Sequence, residues 1–172
     1  AMNDSMALKK GDAYGTANFW APQVFAIHDT FFMAYVANEN IAIATSRHPE
    51  GPFTQKNMGP LEAPVKQIDP FVLIDEDGKK YLYHVRLGNG NRIFVAALQP
   101  DLSAIKAETL TECITATDPW ENTTGSSWSV TDGHSVIKHH HLYYLFYTAN
   151  DFRNPEYSLG YATTYSTYAQ WK

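Results

Sequence analysis

Short bursts of apolar and polar residues run the length of this chain, and they recur in one order three times. The openings are Ala21-Pro22-Gln23-Val24-Phe25, Asp69-Pro70-Phe71-Val72-Leu73 and Gly133-His134-Ser135-Val136-Ile137. Their β-branched and aromatic content predicts strands. A polar turn follows each, at His28-Asp29-Thr30, Asp75 to Lys79, and Lys138 to His141, with Asp77-Gly78 the strongest hairpin signal. Aromatic-rich runs come next, Phe31 to Val36, Tyr81 to Val85 and Tyr143 to Thr148, and predict second strands. Ile41 to Ser46, Ile93 to Leu98 and Ser158 to Thr164 then predict third strands. A fourth is expected around Pro52 to Gln55, around Glu108 to Ile114, and near Gln170. Few segments keep apolar residues at helical spacing, which argues against a helical bundle.

Val24, Val72 and Val136 recur 48 and 64 residues apart, about the size of a propeller blade. The predicted fold is therefore all-β and of the β-propeller type. It reads as a single partial domain over 1–172, with blade-like units at about 19–56, 66–114 and 131–172. Gly51-Pro52, Gly59-Pro60 and Pro64 punctuate the connections, and Thr117 to Ser127 reads as a long surface loop.

Composition narrows the function classes. The 172 residues carry 13 basic and 18 acidic side chains, a net charge of −5, so no basic stripe is present to bind nucleic acid. No apolar run approaches the length of a membrane span, and the first ten residues lack the order of a signal peptide, which leaves localisation open. The lone Cys113 cannot form an intrachain disulfide and reads as a small buried residue. Aromatic residues make up 14%, enough for sheet packing and for sugar-stacking surfaces.

In a propeller the first strand of each blade lies nearest the axis, so Trp20, Asp69 and Asp132 are expected to converge on a central pocket. Asp69 and Asp132 open equivalent strands of neighbouring blades, and two carboxylates facing one cavity suit acid and base catalysis. Aspartates before a strand also cap turns, and pattern alone favours that plainer role.

Three motifs carry a resemblance. Phe19-Trp20-Ala21-Pro22-Gln23-Val24, the run Ile68 to Lys79, and the run Asp132 to Lys138 resemble successive blade openings of glycoside hydrolase family 43. Ile41 to Ser46 with Gly51-Pro52-Phe53, and Leu159 to Thr163, fit the same pattern. The resemblance implies a five-bladed propeller that removes arabinofuranosyl or xylosyl units from plant polysaccharides or oligosaccharides with inversion and without a cofactor. It places Asp69 as the aspartate that tunes the acid, Asp132 as the general acid, and Trp20 with Phe19 at the wall of the sugar pocket.

Two departures qualify that expectation. The family's acid is a glutamate followed by Gly-Pro, where this chain has Asp132-Gly133-His134. The side chain is one methylene shorter, and a displacement of about 1 Å can cost on the order of a hundredfold in rate. His134 becomes a candidate proton donor or sugar contact beside the acid. The base aspartate is expected in a blade before residue 1, since Asp4 and Asp12 lack the Asp-Pro-strand context, and further blades are expected after Lys172. Three blades do not close a ring, so a homo-oligomer completing the propeller is expected; the alternative is an impaired propeller serving as a carbohydrate-binding or structural module. His139-His140-His141 reads as a solvated turn and Asp75 to Gly78 as a hairpin, neither as a metal site.

Overall fold

The computed structural model describes residues 5–62, 65–168 and 171–172; Asp4, Pro64 and Gln170 lie outside them. Three antiparallel sheets follow one another along the chain. The first holds β1 (Trp20–Ile27), β2 (Thr30–Ala37) and β3 (Asn40–Ser46). The second holds β4 (Gln67–Ile74), β5 (Lys80–Leu87), β6 (Asn91–Ala97) and β7 (Thr111–Ile114). The third holds β8 (Thr131–His139), β9 (Leu142–Ala149) and β10 (Ser158–Thr164). Sequence neighbours pair throughout, which is the all-β, propeller-type architecture that the repeats predict. Among the described residues helix is confined to two single turns, Ala107–Thr109 and Pro119–Glu121.

The fourth strands are shorter than predicted. Among the described residues only the second sheet has one, and Glu108 sits in a 3-10 turn ahead of it, so pairing starts at Thr111. In the first sheet Thr45 and Thr54 exchange both main-chain hydrogen bonds at 2.9 Å. In the third, Thr163 and Lys172 do the same at 2.7 and 3.1 Å. Phe53 and Trp171, each one residue before the returning partner, are buried at these points. The return is thus held by one inserted side chain and one pair of hydrogen bonds rather than by a ladder.

The sheets stack face to face, with β4 packed across the first sheet and β8 across the second. One buried cluster runs through all three and includes Val36, Ile41, Tyr83, Val85, Ile93 and Leu145. Tyr81, Tyr83, Tyr143 and Tyr147 of the second strands are buried, each contributing roughly 1.5–3 kcal/mol through its apolar ring. Phe146 instead joins Ile137, Leu159 and Tyr161 on the exposed face of the third sheet. The exposed face of the first sheet is covered by Ala7, Leu8, Ala13 and Tyr14 of the amino-terminal segment. Gly51 permits that close approach, because a Cβ there would lie 2.5 Å from the Ala7 carbonyl oxygen and its φ is +94°.

The stretch Thr117 to Ser127 is anchored rather than loose. Glu121 is buried, and its carboxylate accepts the Thr117 and Asp118 N–H groups at 2.7 Å and the Tyr147 hydroxyl at 2.5 Å. Trp120 lies against Gly160, where an added Cβ would come within 2.3 Å of the indole. A glutamate in a polar stretch reads as solvated until its partners are known.

Side chains also bridge the blades. The Gln23 amide serves the edge of β4 as a neighbouring strand would, accepting the Val72 N–H at 2.6 Å and donating to the Val72 carbonyl at 3.2 Å. At the outer end, Asp75 accepts from Lys138 Nζ at 2.8 Å and from the Tyr143 hydroxyl. Burial would raise the Asp75 pKa, but the hydrogen bonds from Lys138 and Tyr143 outweigh it and hold the group below its usual value. A carboxyl with a depressed folded pKa stabilises the fold above its unfolded value of 3.8 and loses that contribution as pH falls through the folded value. Asp75→Asn is therefore expected to lower Tm by about 4 °C at pH 7, with the gap to wild type closing below about pH 4 in thermal melts.

Candidate active site

Each first strand carries one residue more than its partner. Trp20 pairs with Val36 but Gln23 with Ala34; Ile68 pairs with Val85 but Phe71 with Tyr83; Asp132 pairs with Thr148 but Ser135 with Phe146. These three β-bulges put Ala21, Asp69 and Gly133 in the left-handed region, with φ of 45°, 51° and 54°. Register therefore aligns Asp69 with Ala21 and Gly133, and Asp132 with Trp20 and Ile68. The expected equivalence of the two aspartates is off by one residue: Asp69 sits at the bulge itself and Asp132 one residue before it.

Bulges re-aim side chains, and here they turn both carboxylates into one cleft. That cleft measures about 480 Å³ and is lined by Trp20, Asp69, Asn91, Trp128, Asp132 and Arg153, among others. Asp69 Oδ2 accepts the Gly133 N–H at 3.0 Å, so the bulge residue of one blade clamps the bulge of the next. Asp132 Oδ1 accepts the Thr148 hydroxyl at 2.7 Å and Oδ2 accepts from Asn91 Nδ2 at 3.1 Å. Burial raises the Asp69 pKa, and the Gly133 N–H offsets part of that. For Asp132 burial is again the largest cause of a raised pKa, with the nearby Asp69 charge adding to it and Thr148 and Asn91 opposing it.

Comparison with known proteins gives this geometry a family. The family model for glycosyl hydrolases family 43 matches residues 2–172. The chain belongs to glycosyl hydrolase family 43. The endo-1,4-β-xylanase of Bacteroides thetaiotaomicron VPI-5482 is 43% identical, with a TM-score of 0.90 over 96% of this chain and 56% of that one. A thermostable family 43 glycoside hydrolase is 32% identical, with a TM-score of 0.86 over 96% of this chain and 57% of that one. The xylosidase/arabinosidase 43A of Humicola insolens is 34% identical over 79 residues, which is 41% of this chain and 23% of that protein. The chain thus spans a little over half the length of the two solved relatives.

Within this family 43 chain, the structure brings Asp69, Asp132 and Trp20 to one cleft and leaves two other candidates outside it. Phe19 stacks on Tyr35 at 6.1 Å and lines a separate apolar hollow with Ala7, Leu8 and Met33, although Trp20 borders both. His134 takes the place that Pro22 and Pro70 fill in the other bulges, and its ring is buried with no hydrogen-bond partner on either nitrogen. Burial pushes its pKa down to about 4, so at neutral pH it is an uncharged core residue. Asn91, Trp128, Thr148, Asp151 and Arg153 border the site without a motif that marks them. Asp151 is the third carboxylate of the cleft, but Arg153 grips both its oxygens at 2.7 Å and holds its pKa down to about 2. Asn150 ties the cleft's loops together, donating to the Trp120 and Glu156 carbonyls and accepting from Thr123.

The raised Asp132 pKa has a stability consequence of definite sign. A carboxyl that is harder to ionise when folded costs stability at pH values above its unfolded 3.8, and costs nothing well below it. Asp132→Asn is expected to raise Tm by about 2–4 °C at pH 7 and to leave it unchanged near pH 3, as read by calorimetry.

Proposed function

We propose that this chain carries the acid side of a glycoside hydrolase site for xylosyl or arabinofuranosyl linkages in plant oligosaccharides or polysaccharides. The observation that supports it most directly is the pair of half-buried carboxylates in one cleft, linked through the Gly133 N–H. Asp132 is assigned as the general acid: burial and the Asp69 charge both raise its pKa, the direction a proton donor needs. Asp69 tunes that acid and holds the Gly133 bulge, and Trp20 offers its half-exposed indole to the sugar face. The names of the relatives, a xylanase and a xylosidase/arabinosidase, support the substrate class.

Inversion needs a base on the opposite face of the sugar, roughly 6.5–9.5 Å from the acid, to activate a water. Asp151 is a poor base, because its ion pair with Arg153 occupies both oxygens. The base is assigned to an adjoining blade, from flanking sequence or from a second copy. The exposed Ile137, Phe146, Leu159 and Tyr161 face is where a further blade would pack. The shorter acid favours a second reading, a module that binds such sugars without cleaving them.

Release of nitrophenol from β-xylopyranoside and α-arabinofuranoside, with mass in solution measured by light scattering, tests these readings together. The expected outcome is turnover by an assembled species, lost at least a hundredfold in Asp69→Ala and Asp132→Ala. Turnover that survives both substitutions overturns the site. Binding of xylo-oligosaccharide without turnover establishes the second reading, and turnover by a monomer removes the second copy.

A further inference from the structure

Asn91 touches the site through one carboxyl oxygen, and its orientation is chemically determined. The Trp128 indole N–H can only donate, and it lies 3.0 Å from Asn91 Oδ1. The amide oxygen must therefore face Trp128, which leaves Nδ2 facing Asp132 Oδ2 at 3.1 Å. The backbone of Asn91 is held as firmly. Its N–H donates to the Ser129 carbonyl at 2.8 Å, and its carbonyl accepts the Thr131 hydroxyl at 3.0 Å. Asn91 is thus the joint between the start of β6 and the chain entering β8. Gly90 sits flush against Ser129, where a Cβ would come within 2.7 Å of the carbonyl oxygen, so this junction has little slack.

We propose that Asn91, locked in one amide orientation by Trp128, is a positioning residue for the Asp132 carboxyl. The proposal rests on the reading of Asp132 as the acid. Two donors reach this carboxyl from opposite sides, and they differ in kind. Thr148 Oγ1 lies 2.7 Å from Asp132 Oδ1 and 3.1 Å from the Asp132 main-chain carbonyl. When Asp132 is charged, the hydroxyl donates to Oδ1. When Asp132 is neutral, the hydroxyl turns to the carbonyl and accepts the carboxyl proton, so it serves both states. Asn91 cannot turn while Trp128 holds it, and its Nδ2 remains a donor in both states. It fixes the plane of the carboxyl and favours the charged form. The other ionisable groups facing Asp132 are Asp69 on β4, His134 on its own strand, and Asp151 and Arg153 across the cleft.

Asn91→Asp tests this cleanly. The new carboxylate still accepts the Trp128 N–H, but it presents an acceptor to Asp132 where a donor stood. Trp128→Phe keeps an aromatic side chain and removes the N–H that forms the lock. The readout is the pH titration of the Asp132 side-chain carboxyl carbon by NMR on the whole chain, which does not depend on turnover. The expected result is a midpoint about one pH unit or more higher in Asn91→Asp, tenfold in proton affinity, with a smaller rise in Trp128→Phe. Midpoints equal to wild type in both variants overturn the proposal, as does a rise in Trp128→Phe alone. The functional reading fails separately, if Asp132→Asn retains nitrophenyl glycoside turnover. A merely structural role for Asn91 would lower Tm without moving the Asp132 midpoint.

Discussion

An extra residue in the first strand of every blade is the constraint on which the site depends. A regular strand alternates its side chains, and a shift of one residue sends each to the opposite face. The bulges at Ala21, Asp69 and Gly133 break that alternation at the end of the strand that borders the cleft. They free Asp69 and Asp132 to share a cleft although their strand positions differ by one. The conformation is costly for a residue with a side chain, and the three blades meet that cost differently. Gly133 has no Cβ to strain, and Asp69 belongs to the residue types that tolerate the left-handed region. The Asp69 carboxylate then accepts the Gly133 N–H, so one bulge holds the next.

The electrostatics of the cleft follow from that placement. Two carboxyls partly withdrawn from water on neighbouring blades each resist ionisation, and the Asp69 charge adds to the resistance of Asp132. The fold offsets part of this with single donors, a main-chain N–H for Asp69 and a hydroxyl plus an amide for Asp132. It does not supply a cation: Arg153 lies in the cleft but is taken by Asp151. An arginine on Asp132 would hold it ionised and unable to donate a proton. With Arg153 bound to Asp151, a positive charge lies in the cleft without pairing with Asp132.

Periodicity made the sheets legible, since hairpin turns and aromatic second strands leave a period that sequence alone displays. It also brought Asp69, Asp132 and Trp20 to one end of three strands. The candidates that stand apart from the cleft do so for local structural reasons. His134 is two residues from Asp132 and would share its face in a regular strand, but the bulge at Gly133 breaks that alternation and the imidazole is buried. Phe19 precedes Trp20 and turns to Tyr35 on the face of the first sheet that the amino-terminal segment covers. Asn91 reads as the last residue of a Gly-Asn-Gly-Asn turn, Glu121 as part of the loop Thr117 to Ser127, and Trp128 as the residue that follows it. Each gains its role only from partners 26 to 41 residues away, a separation no local pattern records.

Those same partners bear on the shortened acid. Thr148 is the cross-strand neighbour of Asp132, and its hydroxyl reaches the carboxyl because that carboxyl stays close to its own backbone. Asn91 meets the other oxygen from the adjoining blade. A side chain longer by one methylene would carry the carboxyl past Thr148, and would lose either that hydroxyl or the Asn91 amide. Aspartate at this position is therefore matched to its two donors. On the proposed reading of Asp132 as the acid, the distance it fails to cover would be made up by a deeply seated sugar, and Trp128, half-exposed on the rim and bonded to Asn91, is the side chain such a sugar would meet. The reach of such an acid would then be set by how closely the rim lets a sugar approach it, not by side-chain length alone.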